Sequence, residues 1–395
     1  MDLRSLTWLS YISLVLNGFV LNALGPVMPI VIKEYGLTLA AAGTVFTSQG
    51  LGRLLSVFLS SSWSDRVGRR PVFRLGGILT FTGAGIYAVS PGWPGQIAGA
   101  AIFGAGLGML DGVSNALISD MYAESRGLAL NRLHLFFGVG SLVGPLVAAF
   151  FLGVLNSWRV LFLCVALAAA AHFFFASKQV YPEAAGGKKL GHEELKAGRA
   201  RILSSPEFWL LSGIMFTYSG IGHIISGWVN TYLSGELAAT VFIASLILTL
   251  YNVGIAVGRL FWGNVSERIG YPATLLVCAL GGFVFGTSAV LVRQLWLVGV
   301  SFTLTGVFLA GLFPLAVACG TSLFPQLIGT VSGYLITGAS LGGMLLPFLV
   351  GAVSDVVGLR FGMLAAPFFG IIQVALAVSL HRRQVKAESV EGIGA

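Results

Sequence analysis

A succession of long apolar segments dominates this sequence. An α-helix needs about 20 predominantly apolar residues to cross the hydrocarbon core of a bilayer. Twelve such segments lie near residues 6–31, 39–62, 75–91, 96–118, 132–155, 158–177, 207–233, 237–262, 273–292, 295–320, 328–352 and 360–380. The sequence therefore predicts an all-α membrane protein with twelve transmembrane helices.

The composition excludes an ordinary soluble protein. Only 10% of the residues are charged, whereas a soluble domain has about 25%. The first apolar segment, from Leu6 to Ile32, is longer than the apolar part of a signal peptide, and we expect it to be retained as a span. The three cysteines lie in apolar runs without a C-x-x-C pair, so we expect no disulfide framework, metal or cofactor.

The basic residues set the predicted orientation. If the N-terminus is cytoplasmic, 17 of the 23 Lys and Arg residues fall on that side and four on the other. This bias follows the positive-inside rule. We therefore expect a multi-pass inner (plasma) membrane protein with both termini and the polar linker Lys178–Pro206 in the cytoplasm. Because the net charge of +8 is spread over these loops, nucleic acid is not an expected partner.

The chain repeats a short loop sequence. The acidic-basic-x-Gly pattern that starts at Asp65 returns at Glu267, 202 residues later. This indicates duplication of a six-helix unit. We predict an N-terminal six-helix bundle at 1–177, a linker at 178–206, a C-terminal six-helix bundle at 207–380 and a cytoplasmic tail at 381–395.

Three segments carry a resemblance to a known family. SDRVGRRP at 64–71, its degenerate copy SERIGYP at 266–272, and GVGSLVGPLVAAF at 138–150 together resemble the major facilitator superfamily. The segments 104–120 and 124–145 resemble its fucose/glucose permease branch. One departure is Ser61, where the family usually has glycine. The resemblance implies two pseudo-symmetric six-helix bundles and alternating access.

The repeated loop is the candidate gate. The Asp65 carboxylate lies near the expected start of span eleven, where a helix N-terminus carries about half a positive charge. The resemblance implies that this loop latches the outward-open state, and Asp120 is a candidate partner for its arginines. The predicted gating residues are Asp65, Arg66, Gly68, Arg69, Arg70, Asp120, Glu267 and Arg268.

Asp111 is the acidic residue that lies well inside a predicted span. A carboxylate at the centre of a membrane helix costs about 2.5–3.5 kcal/mol on insertion scales, so its presence suggests a function. Asn115 follows it by four residues on the same helix face. Arg53 lies at a similar depth in span two, where it could form an ion pair with Asp111. We predict that Asp111 and Arg53 couple transport to protons, although a structural ion pair is the alternative.

Polar residues at helical spacing mark candidate cavity walls in spans two, seven, eight and eleven. His172, near the end of span six, is instead expected to extend towards the membrane surface. The candidate substrate-binding residues are Asn17, Gln49, Asn115, His223, Ser226, Trp228, Asn230, Asn252, Tyr334 and Thr337.

These residues favour a secondary transporter for a small polar solute such as a sugar. The coupling ion would be a proton, with sodium as an alternative. The chain contains no nucleotide-binding phosphate loop. Efflux of amphipathic compounds remains open because of the glycine pattern in span five. Organic-anion transport remains open because of His223 and Arg53. An enzyme is not expected, because the longest polar stretch is under 30 residues. We expect a monomer embedded in the lipid bilayer.

Overall fold

The computed structural model describes residues 3–181 and 192–391, and their side chains except at 58, 59, 61, 62, 65, 66, 123, 126–128, 192–197, 326, 328, 329 and 386–391. These residues form α-helices joined by short turns. Their bounds are α1 (Leu3–Tyr35), α2 (Leu39–Val67), α3 (Arg69–Val89), α4 (Trp93–Met121), α5 (Arg126–Val154), α6 (Trp158–Lys178), α7 (His192–Ser204), α8 (Pro206–Glu236), α9 (Val241–Ile269), α10 (Tyr271–Leu291), α11 (Leu295–Leu309), α12 (Leu312–Leu323), α13 (Ile328–Val357), α14 (Leu359–Met363) and α15 (Ala365–Glu391).

Within the described residues, eleven helical segments are long and apolar enough to cross a membrane. The predicted span at 39–62 is not one of them. It forms α2, a helix of 29 residues that is less apolar because Gln, Arg and several Ser interrupt its Leu and Val residues. The all-α membrane fold is therefore confirmed, whereas the count of twelve spans remains a prediction.

The helices repeat along the chain with a fixed period. The bounds of α9 and α10 lie 202 positions after those of α2 and α3, and the segment 295–323, which contains α11 and α12, lies 202 positions after α4. The residues with positive φ follow the same period in three pairs, which are Gly36 and Ala238, Gly68 and Gly270, and Asn156 and Gly358. This agreement supports the predicted duplication of a six-helix unit.

The repeated loops are shorter than the sequence suggested. Asp65 and Glu267 do not lie in loops but in the last turns of α2 and α9. A single glycine reverses the chain in each case, Gly68 with φ of 87° and Gly270 with φ of 80°. An L-residue with a side chain rarely adopts such a conformation. Each of the two acidic residues therefore lies at the end of a helix.

By their internal contacts, the residues divide into two compact units. The first comprises Met1–Gly187, Ser226–Thr249 and Pro347–Val356. Part of its core is a cluster that includes Leu6, Phe73, Leu110 and Leu117, with Tyr181 packed against it. Burial raises the pKa of the Tyr181 phenol, whose hydroxyl donates to the carbonyl of Ala176.

His172 also belongs to the interior of the first unit, so the expectation that it extends towards the membrane surface is wrong. Its side chain is buried. The ring Nε2 lies 2.8 Å from Ser13 Oγ and 3.2 Å from the carbonyl oxygen of Leu9. These two α1 groups give the imidazole polar partners inside the fold, which removes the need to reach water.

The second unit comprises Lys188–Ile225, Leu250–Leu346 and Val357–Ala395. Two predicted spans are interrupted in this unit. The span at 295–320 breaks between α11 and α12, and the last span breaks between α14 and α15. A proline follows each break. Pro314 has no N–H to donate to the carbonyl oxygen of Ala310, and Pro367 has none to donate to that of Met363.

Candidate functional site

Three helices of the first unit bring polar residues together at mid-length. Arg53 is the central residue of α2, with 14 residues on either side. Asn17 lies near the middle of α1, and Asp111 and Asn115 lie in α4. These four residues form one connected set of hydrogen bonds, which we call the α1–α2–α4 network.

Glycines allow α4 to approach α2 closely enough for this network to form. A Cβ at Gly104 would overlap the backbone carbonyl oxygen of Gln49. A Cβ at Gly108 would overlap Ser56 Oγ, and it would lie 2.8 Å from the carbonyl oxygen of Arg53. Small residues of this kind let membrane helices pack backbone to backbone. The short side chain of Asp111 can therefore reach Arg53.

The Asp111 carboxylate accepts hydrogen bonds at both oxygens. Arg53 Nη2 donates to Oδ2 at 2.6 Å, and Asn115 Nδ2 donates to Oδ1 at 2.9 Å. The second guanidinium nitrogen, Nη1, donates to Asn17 Oδ1 at 2.5 Å. Asn17 in turn donates from Nδ2 to the carbonyl oxygen of Leu107 at 3.2 Å. The ion pair that the sequence suggested between Arg53 and Asp111 is therefore confirmed.

The network is only partly shielded. The side chain of Arg53 is 30% exposed and that of Asp111 is 17% exposed. A charged pair in a membrane helix bundle normally faces the protein interior or a water-filled cavity. Addition of a proton to Asp111 would remove its negative charge and weaken the link to Arg53. The ion pair therefore joins α2 to α4 at a place that is not fully closed off from its surroundings.

Three other predicted substrate residues in the first unit are buried, and two of them donate hydrogen bonds to neighbouring groups. Trp228 is fully buried, and its Nε1 donates to the carbonyl oxygen of Pro347 at 2.8 Å. Asn230 is buried and donates to Ser245 Oγ at 2.9 Å. Gln49 is buried one turn before Arg53. The structure does not bring Trp228 or Asn230 into the α1–α2–α4 network, and their role in binding stays a prediction.

Four further predicted residues lie in the second unit. His223 is half-buried, and its Nδ1 lies 2.8 Å from the carbonyl oxygen of Ser219. Asn252 is buried in α9. Tyr334 and Thr337 are half-buried in α13, and the Tyr334 ring contacts that of Phe208. Their role in binding also stays a prediction.

One contact of the predicted gate is present. Arg69 is buried at the start of α3, and it donates from Nη2 and Nε to Asp120 Oδ2 at 2.8 and 3.0 Å. Its Nη1 donates to Ser64 Oγ at 2.6 Å. Asp120 is therefore the partner of a loop arginine, as the sequence suggested. This contact fastens the end of α4 to the turn after α2.

The remaining gate residues with described side chains lie at the surface of the protein. Arg70 donates from Nη2 to the carbonyl oxygen of Ser177. Glu267 and Arg268 are exposed at the end of α9. The side chains of Asp65 and Arg66 lie outside the described residues.

The family model of the Major Facilitator Superfamily matches this sequence twice, at residues 10–237 and 213–394. The two matches together cover nearly the whole chain. The chain belongs to the major facilitator superfamily. It is thus a multi-pass membrane transporter, and the resemblance of its loop sequences to this family is confirmed.

Individual transporters extend this similarity. The glucose/mannose transporter GlcP of Bacillus subtilis is 21% identical over 387 residues, which are 93% of each chain. The protein TsgA of Salmonella arizonae is 27% identical over 233 residues, so the chain spans 58% of the length of that relative. In fold, the chain is similar to a bacterial homologue of the human lysosomal transporter Spinster, with a TM-score of 0.82, 16% identity and 98% and 99% of the two chains covered. A D-xylose–proton symporter gives a TM-score of 0.77 at 17% identity, with 96% and 97% covered.

Sequence reasoning missed a second polar cluster in this superfamily member. Glu34 Oε2 accepts from Trp158 Nε1 at 2.7 Å, and its Oε1 accepts from Arg159 Nη2 at 2.5 Å. The Arg159 guanidinium also lies over the Trp158 ring, 4.4 Å from its centroid. This cluster joins the end of α1 to the start of α6. Charge counting could have found it, because Glu34 and Arg159 are charged residues at the adjoining ends of two early helices.

Proposed function

We propose that this protein is a proton-coupled secondary transporter that moves a small polar, sugar-like solute across the inner membrane by alternating access. The α1–α2–α4 network is the single observation that carries the proton part of this proposal. It contains an acid inside a membrane helix, a guanidinium that forms an ion pair with it, and two amides that hydrogen-bond to these groups.

The coupling step follows from the contacts of Asp111. When the carboxylate is ionised, it holds Arg53, and Arg53 holds Asn17. A proton on Asp111 removes the charge that binds Arg53, so α1, α2 and α4 can change their relative positions. Release of the proton restores the ion pair. Asp111 is therefore the proton carrier in this proposal, and Arg53 is the group that senses its charge.

A neutral polar substrate suits the available side chains. The half-buried amide of Asn115 and the partly exposed ion pair can exchange hydrogen bonds with hydroxyl groups, whereas Asn17 is fully buried behind Arg53. GlcP, which aligns over nearly the whole chain, is a glucose/mannose transporter. The fold is also similar to that of a D-xylose–proton symporter. Both similarities favour a monosaccharide, and the second favours symport with a proton over symport with sodium.

The structure weakens the grounds for the alternatives. The glycine pattern in α5, which suggested efflux, packs against α1, because a Cβ at Gly140 would overlap the carbonyl oxygen of Val15. Close packing explains the pattern without an antiport mechanism. Organic-anion transport would need an available positive charge, whereas that of Arg53 is already balanced by Asp111.

The arrangement in the membrane is part of the same proposal. We place two six-helix bundles at 1–177 and 207–380, with both termini and the linker in the cytoplasm, in a monomer surrounded by lipid. The repeat period of 202 residues supports the two bundles. Asp65 acts as the cytoplasmic latch in this scheme, and the Arg69–Asp120 pair supports it by fixing the turn that carries it.

Uptake into proteoliposomes tests this proposal directly. Purified protein is reconstituted at pH 7.5 inside, and labelled glucose, mannose, xylose, a nucleoside and an organic anion are offered at pH 6.0 or 7.5 outside. We expect a monosaccharide to accumulate only with the proton gradient, and a protonophore to abolish the accumulation. Accumulation that requires sodium, or of the organic anion alone, would contradict the proposal.

A further inference from the structure

The loop pattern of the cytoplasmic gate occurs a third time in the sequence. Residues 64–70 read SDRVGRR, and residues 354–360 read SDVVGLR. The two segments share Ser, Asp, Val, Gly and Arg at the same five positions. The second segment contains Asp355 and lies at the end of α13, so it is not the copy that the 202-residue period produces.

The backbone of the two segments is also alike. Gly68 joins α2 to α3 with φ of 87° and ψ of 169°. Gly358 joins α13 to α14 with φ of 87° and ψ of 153°. In both segments the aspartate lies three residues before the glycine, in the last turn of a helix. The sequence similarity therefore reflects the same helix–glycine–helix joint.

The Asp355 carboxylate caps another helix of the first unit. Its Oδ1 accepts from the backbone N–H of Leu39 at 2.7 Å, and its Oδ2 accepts from that of Ala40 at 2.8 Å. These are the first two residues of α2. The first N–H groups of a helix have no partner within it, and they carry its positive dipole end. A carboxylate that accepts from two of them makes a strong, charge-assisted contact.

The packing around this cap is tight. A Cβ at Gly351 would lie 2.5 Å from the carbonyl oxygen of Leu39, and one at Gly43 would lie 3.1 Å from Phe348 Cα. Trp228, whose Nε1 bonds to Pro347, also packs its ring against that of Phe46. The end of α13 thus rests directly on the first turns of α2, with the Asp355 cap at the edge of the contact.

The two aspartates belong to opposite ends of one helix. Asp65 lies in the last turn of α2, and Asp355 binds its first turn. A helix of 29 residues is about 43 Å long, enough to cross a bilayer. If the proposed orientation is right, Asp65 is at the cytoplasmic face and Asp355 is at the other face.

We propose that Asp355 is the extracytoplasmic latch of the transport cycle, which holds the end of α13 on the start of α2 while that face is closed. It is the reciprocal of the proposed Asp65 latch, since both aspartates lie three residues before a glycine joint. The assignment rests on the alternating access proposed above. It does not depend on the identity of the solute or of the coupling ion.

Thiol labelling without substrate tests the latch. The reporter is Val350→Cys, a fully buried α13 position, in a background where the exposed Cys164 is replaced by serine. An impermeant maleimide is added to right-side-out membrane vesicles. We expect Asp355→Asn to raise the labelling rate about tenfold, because loss of the charge weakens the cap. The control Glu236→Gln removes a charge from an exposed acid at the end of α8, and it should leave the rate within twofold.

A second variant removes one hydrogen bond of the cap without removing the charge of Asp355. Leu39→Pro removes the N–H that Asp355 Oδ1 accepts, and proline is well tolerated at the first position of a helix. The preceding Thr38 already has φ of −71° and ψ of 160°, which suit a residue before proline. We expect about a threefold rise in labelling. Leu39→Ala, which keeps the N–H, should leave the rate within twofold.

Asp65→Asn, which weakens the opposite latch, should lower the labelling rate. If this variant does so while well-folded Asp355→Asn and Leu39→Pro label like the parent, Asp355 is not a latch and alternating access stands. If Asp65→Asn also has no effect, the gating scheme of the proposed function fails as well. If Asp355→Asn and Leu39→Ala both raise the labelling rate, apolar packing of Leu39 closes this face. The proposed role of the Asp355 cap would then be wrong.

Discussion

The α2–α4 helix pair has a counterpart 202 positions later, formed by α9 and the segment 295–323. The helices of each pair approach each other in the same way, but the two pairs carry different side chains at the contact. In the first pair, Gly104 packs against the carbonyl oxygen of Gln49. In the second, Gly306 packs in the same way against the carbonyl oxygen of Tyr251. Gly306 lies 202 positions after Gly104, and Tyr251 lies 202 positions after Gln49. The close approach of these helices was therefore retained in both copies.

The charged residues were not retained. The positions that correspond to Arg53, Asp111 and Asn115 are occupied by Ile255, Phe313 and Val317. The second pair of helices therefore packs without an ion pair at its centre. Helices with this backbone packing can therefore lie together without a central ion pair, and for this reason we assign the charges of the α1–α2–α4 network to transport in the proposal above.

The largest expected effect comes from replacing the charged residues of the first helix pair by apolar residues like those of the second. Arg53→Ile alone leaves the Asp111 carboxylate without its cation. We expect it to destabilise the protein by up to about 3 kcal/mol, the low end for buried pairs because both side chains are partly exposed. The double variant Arg53→Ile with Asp111→Leu should regain most of the thermal stability yet show no transport, because no charge is left unpaired.

Thermal unfolding in detergent and uptake into proteoliposomes check this prediction together. The single variant Asp111→Leu serves as the matched control, since it leaves Arg53 unpaired instead. A double variant that is less stable than both single variants would show that the fold needs the ion pair. The contrast between the two regions would then be structural and not functional.

A smaller effect tests the shared part of the comparison. Gly104→Ala and Gly306→Ala each place a methyl group on a backbone carbonyl of the neighbouring helix. We expect each to destabilise the protein by about 2 kcal/mol, a typical cost of overpacking. Gly85→Ala is the control, because a Cβ there meets nothing within 4 Å, and alanine favours a helix. Unequal melting temperatures for Gly104→Ala and Gly306→Ala would mean that the two packing sites are not equivalent.

The membrane fold could be predicted from the sequence because lipid imposes long apolar segments whatever their packing. The ion pair between Arg53 and Asp111 could also be predicted, because charges inside a membrane must find partners. The breaks at 310–311 and at Leu364 were missed, although Pro314 and Pro367 carried the signal. Asp355 was missed because the 202-residue period pairs its segment with 152–158, which lacks the pattern, even though segment 354–360 shares five of seven residues with segment 64–70.

The contacts of single polar residues could not be predicted. Helical spacing assigns Trp228 and Asn230 to a polar stripe, but it does not say which helix faces that stripe. In the structure both are buried against neighbours within the first unit. His172 was misjudged for the same reason, since its partners Ser13 and Leu9 are about 160 residues away in sequence.

The most direct test of the account is the transport behaviour of Asp111→Asn in proteoliposomes. Asparagine mimics a permanently protonated carboxyl group of nearly the same shape. With a pH gradient imposed, we expect no accumulation of the sugar that the wild-type protein concentrates. Exchange of labelled for unlabelled sugar should remain, because it needs no net proton movement. If the well-folded variant still concentrates sugar against its gradient when protons flow inward, Asp111 is not the coupling residue and the central claim is wrong.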